Sequence, residues 1–447
     1  MSDPPDGVEA QAAGATHPGT GGPTAPRGSQ LGEALDLFRR NRDFRNLFLA
    51  ATTSYLGDWF ALVAVSGLVK EVTGSDGATA LVFAFETLPV FLFAPLAGIL
   101  ADRFDRRRLM QASLALRVLP ALALVVASTT STAWLAFACV GTISALAAFS
   151  EPIPPAAVPN LVEPEDLSLA QTILGSVWGT MLFLGAAIGG LAAAVLGREA
   201  SFVLNALTFV VAVVLVQRIR APFSIARLRA TGASVLAHVT DVWAFVRDRK
   251  PTRALMTTKA GVGTGNGVVG LLPAYAIGVY GAGDAGIGAL LAARGLGALV
   301  GPWVGRRIVR GRGQRLVGTL GISIIGFALT YLVMPAAPVF WVAVGAVLVA
   351  HLFAGHQWVA STEGLQRTTP DDVRGRVMSL DFALATLSMG SSAVLGSILA
   401  EAVGLAAATR LMAGVALVYG LTWLWWTRDL WRATADPLTI AEDAGTD

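Results

Sequence analysis

Twelve apolar runs, each long enough to cross about 30 Å of hydrocarbon at about 1.5 Å of rise per residue, dictate what this chain can fold into. They fall near residues 46–69, 78–100, 109–127, 133–155, 168–196, 200–217, 254–280, 285–309, 316–335, 338–361, 377–400 and 409–427. Hydrocarbon offers no water to an unpaired peptide group, so runs of this length satisfy their own backbone as α-helices. The expected fold class is an all-α polytopic membrane protein, with twelve transmembrane helices in two six-helix bundles. Charged residues make up only 14% of the chain, against roughly 25% in soluble domains, which excludes a soluble reading.

Loop charge orients the bundle. Of the 33 Lys and Arg, Arg117, Lys259 and Arg294 lie away from the ends of runs, and only Lys70, Arg198 and Arg410 lie on the face opposite the termini. The positive-inside rule then places both termini in the cytoplasm and the chain in the inner or plasma membrane. The same bias accounts for a pI near 9.3; no nucleic-acid-reading motif accompanies the arginines, so no nucleic-acid partner is expected. The N-terminal bundle occupies 46–217 and the C-terminal bundle 254–427. Residues 1–32 carry almost no large apolar side chain and are expected to be a disordered cytoplasmic tail. Residues 33–45, with Leu35, Phe38, Arg39, Arg40, Arg42 and Arg45, suit an amphipathic helix on the inner surface. The linker 218–253 holds a second such segment at 235–247, and 428–447 forms a cytoplasmic tail.

The halves echo one another. Pro164-Glu165-Asp166-Leu167 returns 206 residues later as Pro370-Asp371-Asp372-Val373. The stretch Gly98-Ile99-Leu100-Ala101-Asp102-Arg103-Phe104-Asp105-Arg106-Arg107-Arg108 between the second and third runs is echoed by Arg306-Arg307 with Arg310, Arg312 and Arg315 after the eighth. Two parallel repeats with a site between them are the arrangement of a rocker-type carrier.

Ionisable groups inside the runs are the candidate site, because each costs at least about 2.5–3.5 kcal/mol at the bilayer centre unless paired or wet. Asp58 and Glu86 are the first candidates for proton coupling or substrate contact. Arg294 is the expected counter-charge from the other half, facing a carboxylate or an anionic substrate; Arg117 serves similarly or packs. His351 and His356 titrate near neutrality, with packing as the alternative. Lys259 and Asp381 lie nearer the cytoplasmic ends and suit an inner gate, while Asn205 and Asn266 suit hydrogen bonds between helices. The lone Cys139 excludes a disulfide framework and a cysteine metal site. No phosphate-binding Gly-x-x-x-x-Gly-Lys-Ser/Thr, nucleophile elbow or His-Glu-x-x-His occurs, so neither an enzyme, a cofactor nor direct use of ATP is expected.

Gly98-x-x-x-Asp102-Arg103-x-Asp105-Arg106-Arg107 between the second and third of twelve helices resembles the loop signature of the major facilitator superfamily. Within it, Gly57-Asp58-Trp59, the segment Phe149 to Pro159, Leu271-Leu272-Pro273-Ala274-Tyr275 and Arg374-Gly375-Arg376-Val377 resemble the branch of enterobactin exporters and macrolide-efflux proteins. Three departures stand out. Asp105 replaces the usual glycine, the fifth-helix segment Gly185-Ala186-Ala187-Ile188-Gly189-Gly190 lacks the proline of the antiporter signature, and the fourth helix lacks the arginine of many drug–proton antiporters. The resemblance implies a cytoplasmic gate built from Gly98, Asp102, Arg103, Arg106 and Arg107, with Arg306, Arg307 and Asp381 on the other half. It further implies a monomeric secondary carrier that exports an amphipathic small molecule, a drug-like natural product or a siderophore, in exchange for protons. A lysophospholipid transporter of the same fold and a non-transporting sensor are the alternatives.

Overall fold

The computed structural model describes residues 30–129, 131–223, 235–310 and 312–438, all in helices, turns and loops with no strand among them. The tail before Gln30, expected to be disordered, lies outside the described residues. Twelve helices are long and apolar enough to cross a membrane, one for each run in the sequence. The first six spans are α2 (Arg42–Thr73), α3 (Asp76–Arg103), α4 (Arg106–Thr129), α5 (Ala133–Ser150) continued by the short α6 (Ile153–Ala157), α7 (Leu167–Leu196) and α8 (Arg198–Gln217). The second six are α10 (Lys250–Gly265) continued by α11 (Gly267–Ala274), α12 (Gly283–Val309), α13 (Gly313–Val333), α14 (Phe340–Thr368), α15 (Asp371–Val403) and α16 (Leu405–Trp426).

Most spans run past the apolar stretch that marks them, because hydropathy stops at the lipid while a helix continues until something caps it. At the start of α2, Asn41 is extended and its side chain accepts from Phe44 N–H at 2.8 Å. Its far end closes on Gly74, in the left-handed region at φ 66°, whose N–H returns to the Lys70 carbonyl. Ser75 then caps α3 by accepting from Ala78 N–H at 2.7 Å.

The repeat is visible in the backbone. Gly197 joins α7 to α8 at φ 88°, ψ 163°, and Gly404 joins α15 to α16 at φ 82°, ψ 161°, so one single-residue turn open to glycine alone recurs at the same place in each half. The amphipathic segments are repeat partners too. Helix α1 (Gln30–Arg40) precedes α2 and packs on α2 and α7; α9 (Val235–Arg247) precedes α10 and packs on α10 and α15. Arg40 holds α1 down through a two-pronged contact with Asp166 at 2.5 and 2.6 Å, and Asn41 donates to the Leu161 carbonyl at 2.7 Å. After α16, the short α17 (Arg428–Arg432) is tied back by Lys250 to Asp429 at 2.6 Å, a hydrogen bond that holds the Asp429 carboxyl below its usual range. These elements mark a terminal face; the opposite face is called distal.

The halves pack through α7 on α12 and through α3 on α15 and α11. Glycine permits this approach on the distal side. A Cβ on Gly190 would sit 2.5 Å from the Cα of Gly288, one on Gly77 would sit 2.5 Å from the Ser397 carbonyl oxygen, and one on Gly270 would sit 2.7 Å from that of Ala80. Toward the terminal face the contact is lost: the Cβ positions of Gly98, Gly175 and Gly375 look into open space. The seam is thus tight at the distal face, while these glycines near the terminal face press on nothing in the other half. Gly288→Val overpacks the distal seam by about 1–3 kcal/mol and is expected to open it. A cysteine placed at the buried Ala80 should then gain reactivity toward a membrane-impermeant maleimide; unchanged labelling would show that the seam is not what holds the halves together.

Candidate transport site

Helix α2 places Ser54 and Asp58 one turn apart on the same face, toward α4 and α8. Gly57 lets α8 come close, since a Cβ there would meet Thr208 Oγ1 at 1.9 Å. Arg117 of α4 reaches across: Nη2 lies 2.5 Å from Asp58 Oδ1, Nη1 donates to Ser54 Oγ at 3.1 Å, and Cζ sits 4.2 Å from the centroid of the Phe209 ring on α8. The guanidinium is sealed, with its side chain 2% exposed, but the Asp58 side chain keeps 26% of its surface. Arg117 is therefore the partner of Asp58. The expected counter-charge from the other half, Arg294, does not pair with it.

Glu86 on α3 and Arg294 on α12 sit ten and eleven residues from the distal starts of their helices, about 15 Å deep. Each is felt electrostatically by the other, yet neither makes a hydrogen bond or an ion pair. Arg294 leans across the seam with its Cζ 5.5 Å from the Phe83 ring centroid on α3, and its buried Nε has no partner. A third carboxylate joins this group. Glu151 follows the last turn of α5, where Pro152 ends the helix, and lies within electrostatic reach of Arg117, Asp58 and Glu86. The reading of the sequence passed over it as part of the closing segment Phe149–Pro159. The signal was present: Glu151 is the only charged residue in the fourth apolar run and stands directly before a proline.

Other candidates fall elsewhere. His351 on α14 bonds through Nδ1 to the Val347 carbonyl at 3.0 Å and packs edge-on against Phe327 and Tyr331. His356 contacts Thr319 Oγ1 at 3.0 Å and fills the space left by Gly305. Both are packed inside the C-terminal half, as the alternative reading has it. Lys259 of α10 and Asp381 of α15 form a buried ion pair, with Thr362 Oγ1 3.0 Å from the Lys259 ammonium and the Trp358 ring 4.8 Å away. Asp381 is thus engaged within its own half. Asn205 and the Asn266 amide nitrogen, expected to bridge helices, are buried without a partner.

Of the gate residues, Arg107 donates to the Gln217 carbonyl at 2.5 Å, within its own half, and Arg103 is exposed. Arg106 is half-buried; Arg306 and Arg307 are exposed and form no ion pair among the described residues. Asp102 falls in the last turn of α3, and its side chain lies outside the described residues. Asp105 caps the start of α4, accepting from Arg108 N–H at 2.9 Å. That gives the departure from the family glycine a purpose. Gly98 meets open space, and Gly301 lets α12 approach Leu352 of its own half.

The distal face carries a latch that the sequence reading missed. Arg198, at the start of α8, grips Asp284 of α12 at 2.9 and 3.1 Å and reaches Glu71 of α2 at 2.5 Å. Across the other seam, Glu401 of α15 accepts from the Ser75 hydroxyl and from Gly77 N–H at 2.9 Å, at the N-terminus of α3. Both join one half to the other.

Two repeat-related six-helix halves, latched at one face, with ionisable side chains gathered at mid-depth, define a transporter of the major facilitator type. The chain belongs to the transmembrane secretion effector family, whose profile matches residues 37–434. It is similar to two proteins of Bacillus subtilis (strain 168), the uncharacterized MFS-type transporters YfiS (27% identical, over 40% of this chain and 42% of the relative) and YkuC (24%, over 42% and 44%). The matches span less than half the length of those relatives. Among solved structures it resembles the nucleoside transporter NupG (TM-score 0.65, 10% identity, 85% of this chain and 98% of that one) and a D-xylose–proton symporter (0.63, 12%, 88% and 99%). A bacterial homologue of the human lysosomal transporter Spinster, in an inward-facing and unoccupied conformation, scores 0.60 at 15% identity, covering 87% and 96%. At such identities the likeness speaks to the fold.

Removing one partner of a buried ion pair leaves the other uncompensated. Arg117→Gln is expected to destabilise the protein by about 3 kcal/mol, the low end for a buried pair because Asp58 keeps some solvent. The double variant Asp58→Asn/Arg117→Gln should recover most of that loss. Thermal melting in detergent of Asp58→Asn, Arg117→Gln and the double variant measures this; a double-variant loss equal to the sum of the two single losses would show that the pair carries no coupling energy.

Proposed function

We propose that this chain is a monomeric secondary exporter of an amphipathic small molecule, a drug-like natural product or a siderophore, driven by proton antiport. The observation that carries the reading is a carboxylate, Asp58, that keeps 26% of its side-chain surface while ion-paired at mid-depth of a bundle whose distal seam is tight. With the arginine-rich terminal face in the cytoplasm, the conformation is inward-facing, the state from which an exporter loads. The resemblance to efflux proteins and the family's description as secretion effectors support the direction.

The proposed cycle uses opposed charges as a switch. In the loaded, inward-facing state Asp58 gives up its proton and is held by Arg117. The halves then rock, the terminal gate of Asp102, Arg103, Arg106 and Arg107 closes, and the distal latch of Arg198–Asp284 and Glu401 releases. A proton from outside neutralises Asp58, frees Arg117 and returns the carrier inward. Each state differs from the other by a few contacts that can exchange, which is what a two-state device needs. Glu86 is the second proton acceptor available on this path.

Everted membrane vesicles, supplied from outside with a panel of lipophilic amines and catecholate siderophores, test the cycle. Uptake is expected to follow an imposed pH gradient, and Asp58→Asn to cut gradient-driven flux by ten-fold or more, the scale of about 1.4 kcal/mol, while one-for-one substrate exchange persists. Flux indifferent to the gradient, in the wild type and in Asp58→Asn and Glu86→Gln alike, would rule the antiport reading out.

A further inference from the structure

With Asp58 satisfied by Arg117, three ionisable side chains at the middle of the bundle have no partner: Glu86, Glu151 and Arg294. Their distribution is uneven. Both carboxylates belong to the N-terminal half and the guanidinium to the C-terminal half.

Glu86 and Arg294 are separated by 208 residues, as are Asp76 and Asp284 at the distal starts of the same two helices. One repeat position thus carries opposite charges in the two halves, at one depth, across the seam. Arg294 is 7% exposed, its Nε is buried without a hydrogen bond, and its Cζ lies 5.5 Å over the Phe83 ring, whose face is a weak substitute for an anion. A guanidinium so enclosed calls for an oxyanion, since an unpaired charge in a low-dielectric interior is costly. Glu86 does not supply it, for no carboxylate oxygen comes within 4.0 Å. Glu86 and Glu151, both half-buried, in turn form no ion pair or hydrogen bond among the described residues.

We propose that the transported molecule is amphoteric: an oxyanion, carboxylate or phosphate, seats on Arg294 of the C-terminal half, and an ammonium or comparable cation seats between Glu86 and Glu151 of the N-terminal half. A ligand with both charges spans the seam and ties the halves together, whereas a singly charged one engages one half and leaves the other group unpaired. Occupancy by the right ligand then favours the closed vestibule, and discrimination comes from the buried groups that a wrong ligand would strand. This inference rests on the carrier reading above but not on its direction or coupling ion.

Full-length protein in nanodiscs, without any pH gradient, provides the test through the fluorescence of three probes that share one ring system. Nε-dansyl-lysine carries both charges, dansylcadaverine the cation alone and dansylaminohexanoate the anion alone. The first is expected to bind about ten-fold more tightly than either of the others, the worth of one charge-assisted hydrogen bond. Arg294→Gln should bring it down to dansylcadaverine without weakening the latter. Glu86→Gln/Glu151→Gln should bring it down to dansylaminohexanoate. Glu151→Gln alone, at a half-buried helix break, keeps the experiment decisive where Arg294→Gln fails to fold, and should lower the affinity of the two cationic probes only. Equal binding of the three probes, binding of none, or a charge preference untouched by these variants would overturn the proposal. So would full recovery of function in the swap Glu86→Arg/Arg294→Glu with the probe preference unchanged, which would make the two an ion pair of another state. Intact probe preference with flux indifferent to pH would instead sink the antiport reading alone.

Discussion

A charge in hydrocarbon must find a countercharge or water, and this constraint shapes the interior of the protein. The bundle meets it in two ways. Lys259 and Asp381 neutralise each other out of reach of solvent, while Asp58 and Arg117 do so with the Asp58 side chain still partly exposed. Glycine seams complete the arrangement: without the backbone contact of Gly190 with Gly288, α7 and α12 would stand further apart, and Arg198 would not reach Asp284. Packing at the distal face therefore also fixes where these charges lie relative to one another.

Much of this was legible in the amino-acid sequence, because the physics of a lipid-spanning segment is local. Hydrophobic length alone marks every span, and backbone hydrogen bonding makes each one a helix. The errors at the ends have a local cause as well: caps such as Asn41 and Ser75 lie beyond the apolar stretch and carry each helix past it. Ionisable residues within runs were also visible as costs. Which of them meet was not, since Asp58 and Arg117 are 59 residues apart and their pairing is decided by how α2, α4 and α8 pack. Arg294, expected to face a carboxylate or an anionic substrate, leaves Asp58 to Arg117 of its own half. Glu151 escaped because a run-end position reads as interface until the helix break at Pro152 turns it inward. The distal latch escaped for a different reason: Arg198 counted only as a minority charge in the loop tally, and an isolated loop charge gives no sign of its partner.

Asp105 shows how a departure from a family pattern can be read through its chemistry. A glycine in a tight turn supplies conformational freedom; an aspartate supplies a side-chain acceptor for the first turn of the next helix. Here the turn between α3 and α4 needs no positive φ at that position, and the acceptor is used by Arg108 N–H. The substitution trades freedom for a defined helix start directly beneath the arginine cluster.

The two repeats have diverged where it matters for coupling. In the C-terminal half the ion pair is sealed, with side chains 4% and 1% exposed, so neither group exchanges a proton without local opening. In the N-terminal half the base of the pair keeps about a quarter of its surface while its arginine is enclosed. An enclosed guanidinium stays charged and stays put, and an accessible carboxylate beside it can gain or lose a proton as the vestibule changes sides. In the proposed cycle a pair built this way answers to the proton activity of the open face, whereas a sealed pair answers only to local opening. If protons drive the cycle, Asp58 of the N-terminal half is the group placed to take them, and Arg294 of the C-terminal half, with Glu86 and Glu151 across the seam, is left for the cargo.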